Sequence, residues 1–410
     1  MLTESKSSGA GRDAASDRAA LITAVYIPAV LLSFGQGLLI ATLPLYAADL
    51  GAPVQLVSLA VGAAAIGTLL TDLPAGALLA RMGLRPAMIG GAAIVALSAA
   101  ALALVTRFDA LIVGRLLAGV GTSIWTLSRH AYMAESIPAA RRGKAISAFG
   151  GINRLGVFLG PAAGGFLAQA HGLNAPFAAA AALAGAAMLI AIVWLKPARR
   201  GGGSSRGMRW AVVGELLRTN RRDIGAAALA QTLGQMIRAG RLLIVPLYGA
   251  QQLGLDAAQI GLIMTLASIV DVTLFVPAGV VMDRFGRKVA AVPSFAVLAL
   301  GVALIPLAHG FGGLLLASLV IGLGNGIGSG TMMTLGADLA PRGATAEFLG
   351  LWRLIGDIGA ATGPLAVGVV AAAFGLVDGA YVLAIIGFVA ALTMAGLVRE
   401  TRTTPISDAS

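Results

Sequence analysis

The chain reads as an all-helical membrane protein, with twelve transmembrane helices in two pseudo-symmetric six-helix bundles. Three observations predict this. Its 410 residues are 58% hydrophobic and 11% charged, whereas a soluble domain carries about a quarter charged residues to cover its surface. Twelve stretches are apolar and long enough to cross a bilayer, at ~20 residues per crossing. Landmarks of the first half also return in the second. Pro74-Ala75-Gly76 recurs as Pro277-Ala278-Gly279, Gly160-Pro161 as Gly363-Pro364, and Gly119 and Gly121 as Gly322 and Gly324, each 203 residues later. Pro44-Leu45-Tyr46 recurs as Pro246-Leu247-Tyr248 with one residue of slippage. Four landmarks in one order mark a duplicated half.

The elements follow in order. Residues 1–20 are polar and mixed in charge, and read as a tail. The apolar run after it lacks a small-residue cleavage site, so it reads as the first span and not a removed signal peptide. The first bundle occupies residues 21–195, with spans at about 21–44, 55–79, 86–105, 110–133, 145–169 and 175–195. A linker at 196–223 carries Gly201-Gly202-Gly203-Ser204-Ser205 and eight Lys or Arg, and Met208 to Arg218 has the pattern of a short amphipathic surface helix. The second bundle occupies 224–398, with spans at about 224–247, 258–282, 289–308, 312–335, 347–372 and 379–398, before a tail at 399–410. Gly and Ala dominate, as expected where helices associate in lipid by close backbone approach.

Charge sets the orientation. Most of the 29 Lys and Arg fall in the tails, the linker and the loops on one side, and only Arg107 sits in a loop on the other. The positive-inside rule then puts both termini in the cytoplasm of a cell-membrane protein. The net charge of +11 follows from this bias. It is spread over short membrane-proximal loops, which is no footprint for nucleic acid. The chain has no cysteine, and His130, His171 and His309 lack ligand-like spacing, so no metal or other cofactor is expected. The alternating glycines from Gly322 to Gly330 do not make a dinucleotide fingerprint. Gly143-Lys144-Ala145 lacks the hydroxyl and leading glycine of a P-loop. No enzymatic chemistry is expected. Two similar apolar halves point instead to a secondary transporter, whose bundles rock about a shared central site.

Specific motifs sharpen this. The loop after the eighth span reads Gly279-Val-Val-Met-Asp283-Arg284-Phe-Gly286-Arg287-Lys288. Its partner after the second span reads Gly76-Ala-Leu-Leu-Ala80-Arg81-Met-Gly83-Leu84-Arg85, with Ala80 in place of the acid and Leu84 in place of a base. In this loop signature the chain resembles the major facilitator superfamily, over nearly its whole length. The resemblance implies a conformational latch, with the acid facing a helix N-terminus. Asp283→Asn is therefore expected to impair transport more than any change at Ala80. The fifth span holds Gly156, Gly160, Pro161, Gly164 and Gly165, resembling the antiporter motif of the drug:proton efflux branch. Small residues at these spacings make a smooth packing face, and the proline permits a kink. The fourth span holds Arg115-Leu-Leu-Ala118-Gly119. It resembles a motif whose arginine is linked to proton coupling, with Ala118 replacing its glutamine.

Charges within spans are the remaining clue. Asp72, Asp271 and Asp357 accompany Arg115, Arg154, Arg238, Arg241 and Arg353. A charge at mid-bilayer costs ~2.5–3.5 kcal/mol on insertion scales, so it should face the interior and find a partner. Arg353 and Asp357 share a helix face at i, i+4. The superfamily fold implies that the fifth span lies beside the eighth and the second beside the eleventh. Arg154 would then reach Asp271, and Asp72 would reach Arg353. Such pairs can form in one state and break in another. Nothing within a turn of Asp271 neutralises it, and burial favours the neutral form of a carboxylic acid, as a proton carrier requires. Gln36, Gln231, Gln235, Asn153, Asn325, Trp125 and Trp352 are candidate substrate contacts.

The expectation is a monomeric transporter embedded in the lipid bilayer. It exports a small organic molecule (a drug, metabolite or organic anion) against protons by alternating access. An uptake symporter or a non-transporting membrane sensor is the alternative.

Overall fold

In lipid, a backbone must satisfy its own N–H and C=O groups, and a continuous apolar chain does so as helix. The computed structural model describes residues 22–136, 156–195, 214–215, 218, 221–341 and 344–401, and no strand occurs among them. The first half comprises helix 1 (Ile27–Asp49, after a short π-helix at Ile22–Tyr26), helix 2 (Val54–Met82), helix 3 (Leu84–Ala103) and helix 4 (Phe108–Ser136). Helix 5 follows at 156–171 and helix 6 at Ala175–Trp194. The second half comprises helix 7 (Arg221–Gln251), helix 8 (Ala257–Thr273 and Phe275–Phe285), helix 9 (Arg287–Leu304), helix 10 (Gly310–Ile327 and Thr331–Leu339), helix 11 (Thr345–Phe374) and helix 12 (Leu376–Gly396). Among the described residues nine helices are long and apolar enough to cross a membrane, ten when the pieces of helix 8 are joined. Helix 5, described over sixteen residues, and the charge-bearing helix 7 bring the set to twelve. Most of the linker expected at 196–223 lies outside the described residues.

Two breaks depart from the simple spans read in the sequence. Helix 8 bends by 40° at Leu274. Pro277 explains it, because the ring collides with the carbonyl four residues back, at Thr273, where the first piece ends. Helix 10 is interrupted between Ile327 and Thr331. There the alternating glycines lower helix stability, and Gly330 takes φ +82°. The short turns between helices 2 and 3 and between helices 8 and 9 pivot on Gly83 (φ +83°) and Gly286 (φ +108°). These glycines stand 203 residues apart, so both copies of the loop signature keep the residue that the left-handed turn needs.

The halves pack alike. Helices 1 and 6, 3 and 6, 3 and 4, and 2 and 4 are neighbours, as are 7 and 12, 9 and 12, 9 and 10, and 8 and 10. Tyr46 donates its hydroxyl to the carbonyl of Val105 at 2.5 Å, tying helix 1 to the end of helix 3. Tyr248 donates likewise to Pro306 at 3.1 Å, tying helix 7 to the end of helix 9. The recurring Pro-Leu-Tyr thus marks one structural tie made twice.

The core is asymmetric along the membrane normal. Away from the basic loops, one apolar core runs through both halves, from Leu43, Tyr46 and Val57 to Leu243, Tyr248, Ile263 and Val367. At the basic end it divides. Met88, Trp125 and Met133 form one cluster, and Phe295, Phe348 and Trp352 another. Outward-facing Leu97, Phe374 and Leu392 are each at least 70% exposed, a surface suited to lipid and not to water.

Candidate functional site

Two adjoining cavities lie where the halves meet. The first, about 310 Å³, is formed mainly by helices 1, 2, 3, 4 and 6 and contains Gln36, Thr68, Arg115 and Thr122. The second, about 220 Å³, is formed mainly by helices 5, 7, 8 and 10 and contains Arg241, Ser268, Asp271, Ser318 and Asn325. Ile40, Val157 and Leu242 border both, so they form the seam between an N lobe and a C lobe. Arg115 faces the N lobe, with Nε 3.4 Å from the carbonyl of Ala60. Gln36 donates to Thr122 at 3.2 Å. In the C lobe, Asn325 donates to Asp271 Oδ2 at 2.5 Å. Arg241 is pinned by its own helix, Nε donating to the carbonyl of Arg238 at 3.3 Å. Arg238 itself turns away, its guanidinium 5.4 Å from the centroid of the Phe295 ring.

A second charge cluster joins helices 2, 4 and 11 nearer the basic end. Arg353 Nε lies 3.3 Å from Asp72 Oδ2 and 3.6 Å from Asp357 Oδ2. Ser123 donates to the other oxygen of Asp72. One guanidinium therefore serves two carboxylates and ties the halves together, as the sequence pairing anticipates. Sequence reasoning missed Arg129, which falls within the fourth span near its basic end. It is 7% exposed, acts electrostatically on Arg353 and contacts His130 at 3.2 Å. With Arg129 the four charges balance.

This architecture of paired bundles around a central cavity is matched by known proteins. A family model described as Major Facilitator Superfamily matches residues 25–248 and 226–409. The chain belongs to the major facilitator superfamily. An uncharacterised MFS-type transporter of Methanocaldococcus jannaschii is 22% identical over 356 residues, which cover 86% of this chain and 92% of that protein. The crystal structure of a D-xylose-proton symporter has a TM-score of 0.75 at 18% identity, over 93% of this chain and 98% of that one. A nucleoside transporter structure has a TM-score of 0.75 at 14% identity, over 91% and 97%. At these identities the two structures share the fold. Membership of the superfamily makes the protein a transporter, not an enzyme, and a multi-pass membrane protein.

The superfamily motifs fall at helix contacts. A Cβ on Gly156 or Gly160 would strike helix 1 at Phe34 or Gly37, and one on Gly164 would strike the Leu38 carbonyl. Gly165 meets the Ala257 carbonyl and Gly261 meets that of Pro161, so the motif's other side packs on helix 8. Thr265 fastens this seam, donating to Phe158 at 3.0 Å and accepting from the N–H of Ala162 at 2.9 Å.

In the second superfamily loop, the acid at the helix 9 N-terminus is not Asp283. Glu400, beyond helix 12, accepts from the N–H groups of Arg287 and Lys288 at 2.8 and 2.9 Å. Asp283 is largely exposed and meets Arg287 at 3.4 Å, while Arg287 holds Asp338 more closely, at 2.8 Å. Arg284 lies over the Phe285 ring at 5.5 Å, and a Cβ on Gly279 would touch nothing within 4 Å. Among the other polar candidates, Gln36 and Asn325 line the cavities. Trp352 is buried and donates to Met332 at 2.8 Å, a structural bond. Arg154 and Asn153 lie outside the described residues.

Proposed function

We propose that the protein exports a small organic molecule by alternating access, with an inward proton flow as the driving force and Asp271 as the proton carrier. The observation that carries this reading is the placing of Asp271. It is in the C lobe, beside the seam with the N lobe, and its described polar partner is a neutral amide. Among the described residues no cation pairs with it within 4 Å. An ionisable side chain within a span marks a substrate or proton pathway. Arg115 in the N lobe is the second coupling group, and the Asp72–Arg353–Asp357 cluster is the tie that the conformational change remakes. With the basic loops in the cytoplasm, the shared core closes the outer side and the divided cores leave the halves apart inside. The glycine face of helix 5, which resembles the efflux motif, supports export. One of the similar solved structures is a proton symporter by name, which keeps uptake as the second reading.

Purified protein in liposomes with an imposed pH gradient and an internal pH-sensitive dye tests both. Export predicts that adding a transported compound drives protons the opposite way, and that Asp271→Asn abolishes this while leaving insertion intact. Full gradient-driven transport by Asp271→Asn would end the carrier role. Movement of proton and compound together would make the protein a symporter.

A further inference from the structure

Opposite charges in one small, mostly apolar cavity normally collapse into an ion pair. In the C lobe they do not. Arg241 and Asp271 feel each other electrostatically, yet no contact within 4 Å joins them among the described residues. Each is held back by its own anchor, Arg241 by the Arg238 carbonyl and Asp271 by Asn325. Three further atoms of the same lobe, Asp271 Oδ1, Asn325 Oδ1 and Ser318 Oγ, are buried and have no hydrogen-bond partner among the described residues. Buried polar atoms are almost always satisfied, and each one left open costs free energy. Two of the three can only accept from a donor, and Arg241 can only donate. The lobe thus presents a donor-seeking side and an anion-seeking side with a gap between.

We propose that the C lobe binds the head group of a small zwitterion of the α-amino-acid type, with its ammonium on Asp271 and Asn325 and its carboxylate on Arg241. The body of the ligand crosses the apolar seam at Ile40, Val157 and Leu242 into the larger N lobe. Arg115 is the charge there, so a second cation on the body is disfavoured. This deepens the transport reading, and rests on it only in taking the cavity as the substrate site.

Calorimetric titration of the full chain in detergent, with no proton gradient, tests it. The probes are L-phenylalanine, L-phenylalaninamide, 2-phenylethylamine and 3-phenylpropionate, with L-norleucine and L-lysine as a second pair. L-Phenylalanine is expected to bind at least ~10-fold more tightly than the three analogues lacking one charge, the size expected for one lost charge-assisted hydrogen bond. L-Norleucine should exceed L-lysine. Arg241→Gln should bring L-phenylalanine down to the level of 2-phenylethylamine and leave the amine unchanged, a pattern that misfolding would not produce. Equal binding of the amine or of the acid overturns the proposal, and so does the absence of binding by L-phenylalanine and L-norleucine alike. Proton-coupled transport of some other compound without zwitterion binding would sink this inference alone. Zwitterion binding without proton flux would sink the coupling alone.

Discussion

Arg353 shows how much one side chain decides here. It holds Asp72 across the halves and Asp357 on its own helix, and a third of its side chain is exposed. Removing it leaves two carboxylates facing each other. Breaking a fully buried pair costs ~3–5 kcal/mol, and partial exposure brings this to roughly 1–3 kcal/mol for Arg353→Gln. Adding Asp357→Asn removes one of the orphaned charges. The double variant should therefore melt above Arg353→Gln in detergent, with the coupling read from a double-mutant cycle. A double variant no more stable than the single would mean that the carboxylates were already neutral or screened. This pair was legible in the sequence because both partners are span charges on helices that the fold makes adjacent. Ser123 and Asn325 were less so. A hydroxyl or amide among dozens of small polar groups becomes a partner only through helix rotation, which the order of residues alone does not set.

Among the elements, glycine positions reveal the duplication most directly. A Cβ on Gly119 would meet the Ala64 carbonyl, and one on Gly322 the Ala267 carbonyl. Gly156 and Gly160 approach helix 1 as Gly359 and Gly363 approach helix 7. The repeat at 203 residues is therefore a repeat of backbone contacts, where a side chain has no room. Gly164→Val should push helix 5 from helix 1 and cost about 1–3 kcal/mol, because a carbonyl cannot retreat as a flexible side chain can. Gly279→Ala, with open space around it inside a helix, should be neutral or stabilising, by up to ~1 kcal/mol. Thermal unfolding of the two variants checks the contrast, and equal losses would refute the contact-based reading. The same scale exposes what the motif concealed. Charge placement favours a carboxylate at a helix N-terminus, but the chain supplies it from residue 400. A segment 113 residues beyond the loop cannot be paired with it by inspection. Glu400→Gln should thus lower the melting temperature more than Asp283→Asn does, and the reverse order would restore Asp283 to the structural role.

On the scale of the whole molecule, the two ends of the bundle differ in what motion must undo. At the basic end the apolar cores are already separate, and the tie described between halves is polar, through Arg353. At the other end one continuous core and two glycine seams join them, helix 5 on helix 8 and helix 2 on helix 11. Opening that end exposes packed apolar surface and backbone, so it needs compensating closure at the basic end, the reciprocity that rocking supplies. A cross-link at the closed end should therefore trap the molecule. The chain has no cysteine of its own, so an introduced pair reports without background. A Cβ at position 62 would lie 3.8 Å from Leu365 Cγ across the helix 2–helix 11 seam, and Leu365 Cβ is one bond from that atom, which puts the pair within reach of a disulfide's ~3.5–4.5 Å Cβ separation. Gly62→Cys with Leu365→Cys should cross-link readily under mild oxidant, stop transport in liposomes and regain it on reduction. The single variants, treated alike, should keep transporting. If the cross-linked protein transports at the rate of the reduced one, this end does not open in the cycle, and alternating access about the cavity would have to give way to a pathway confined to one half.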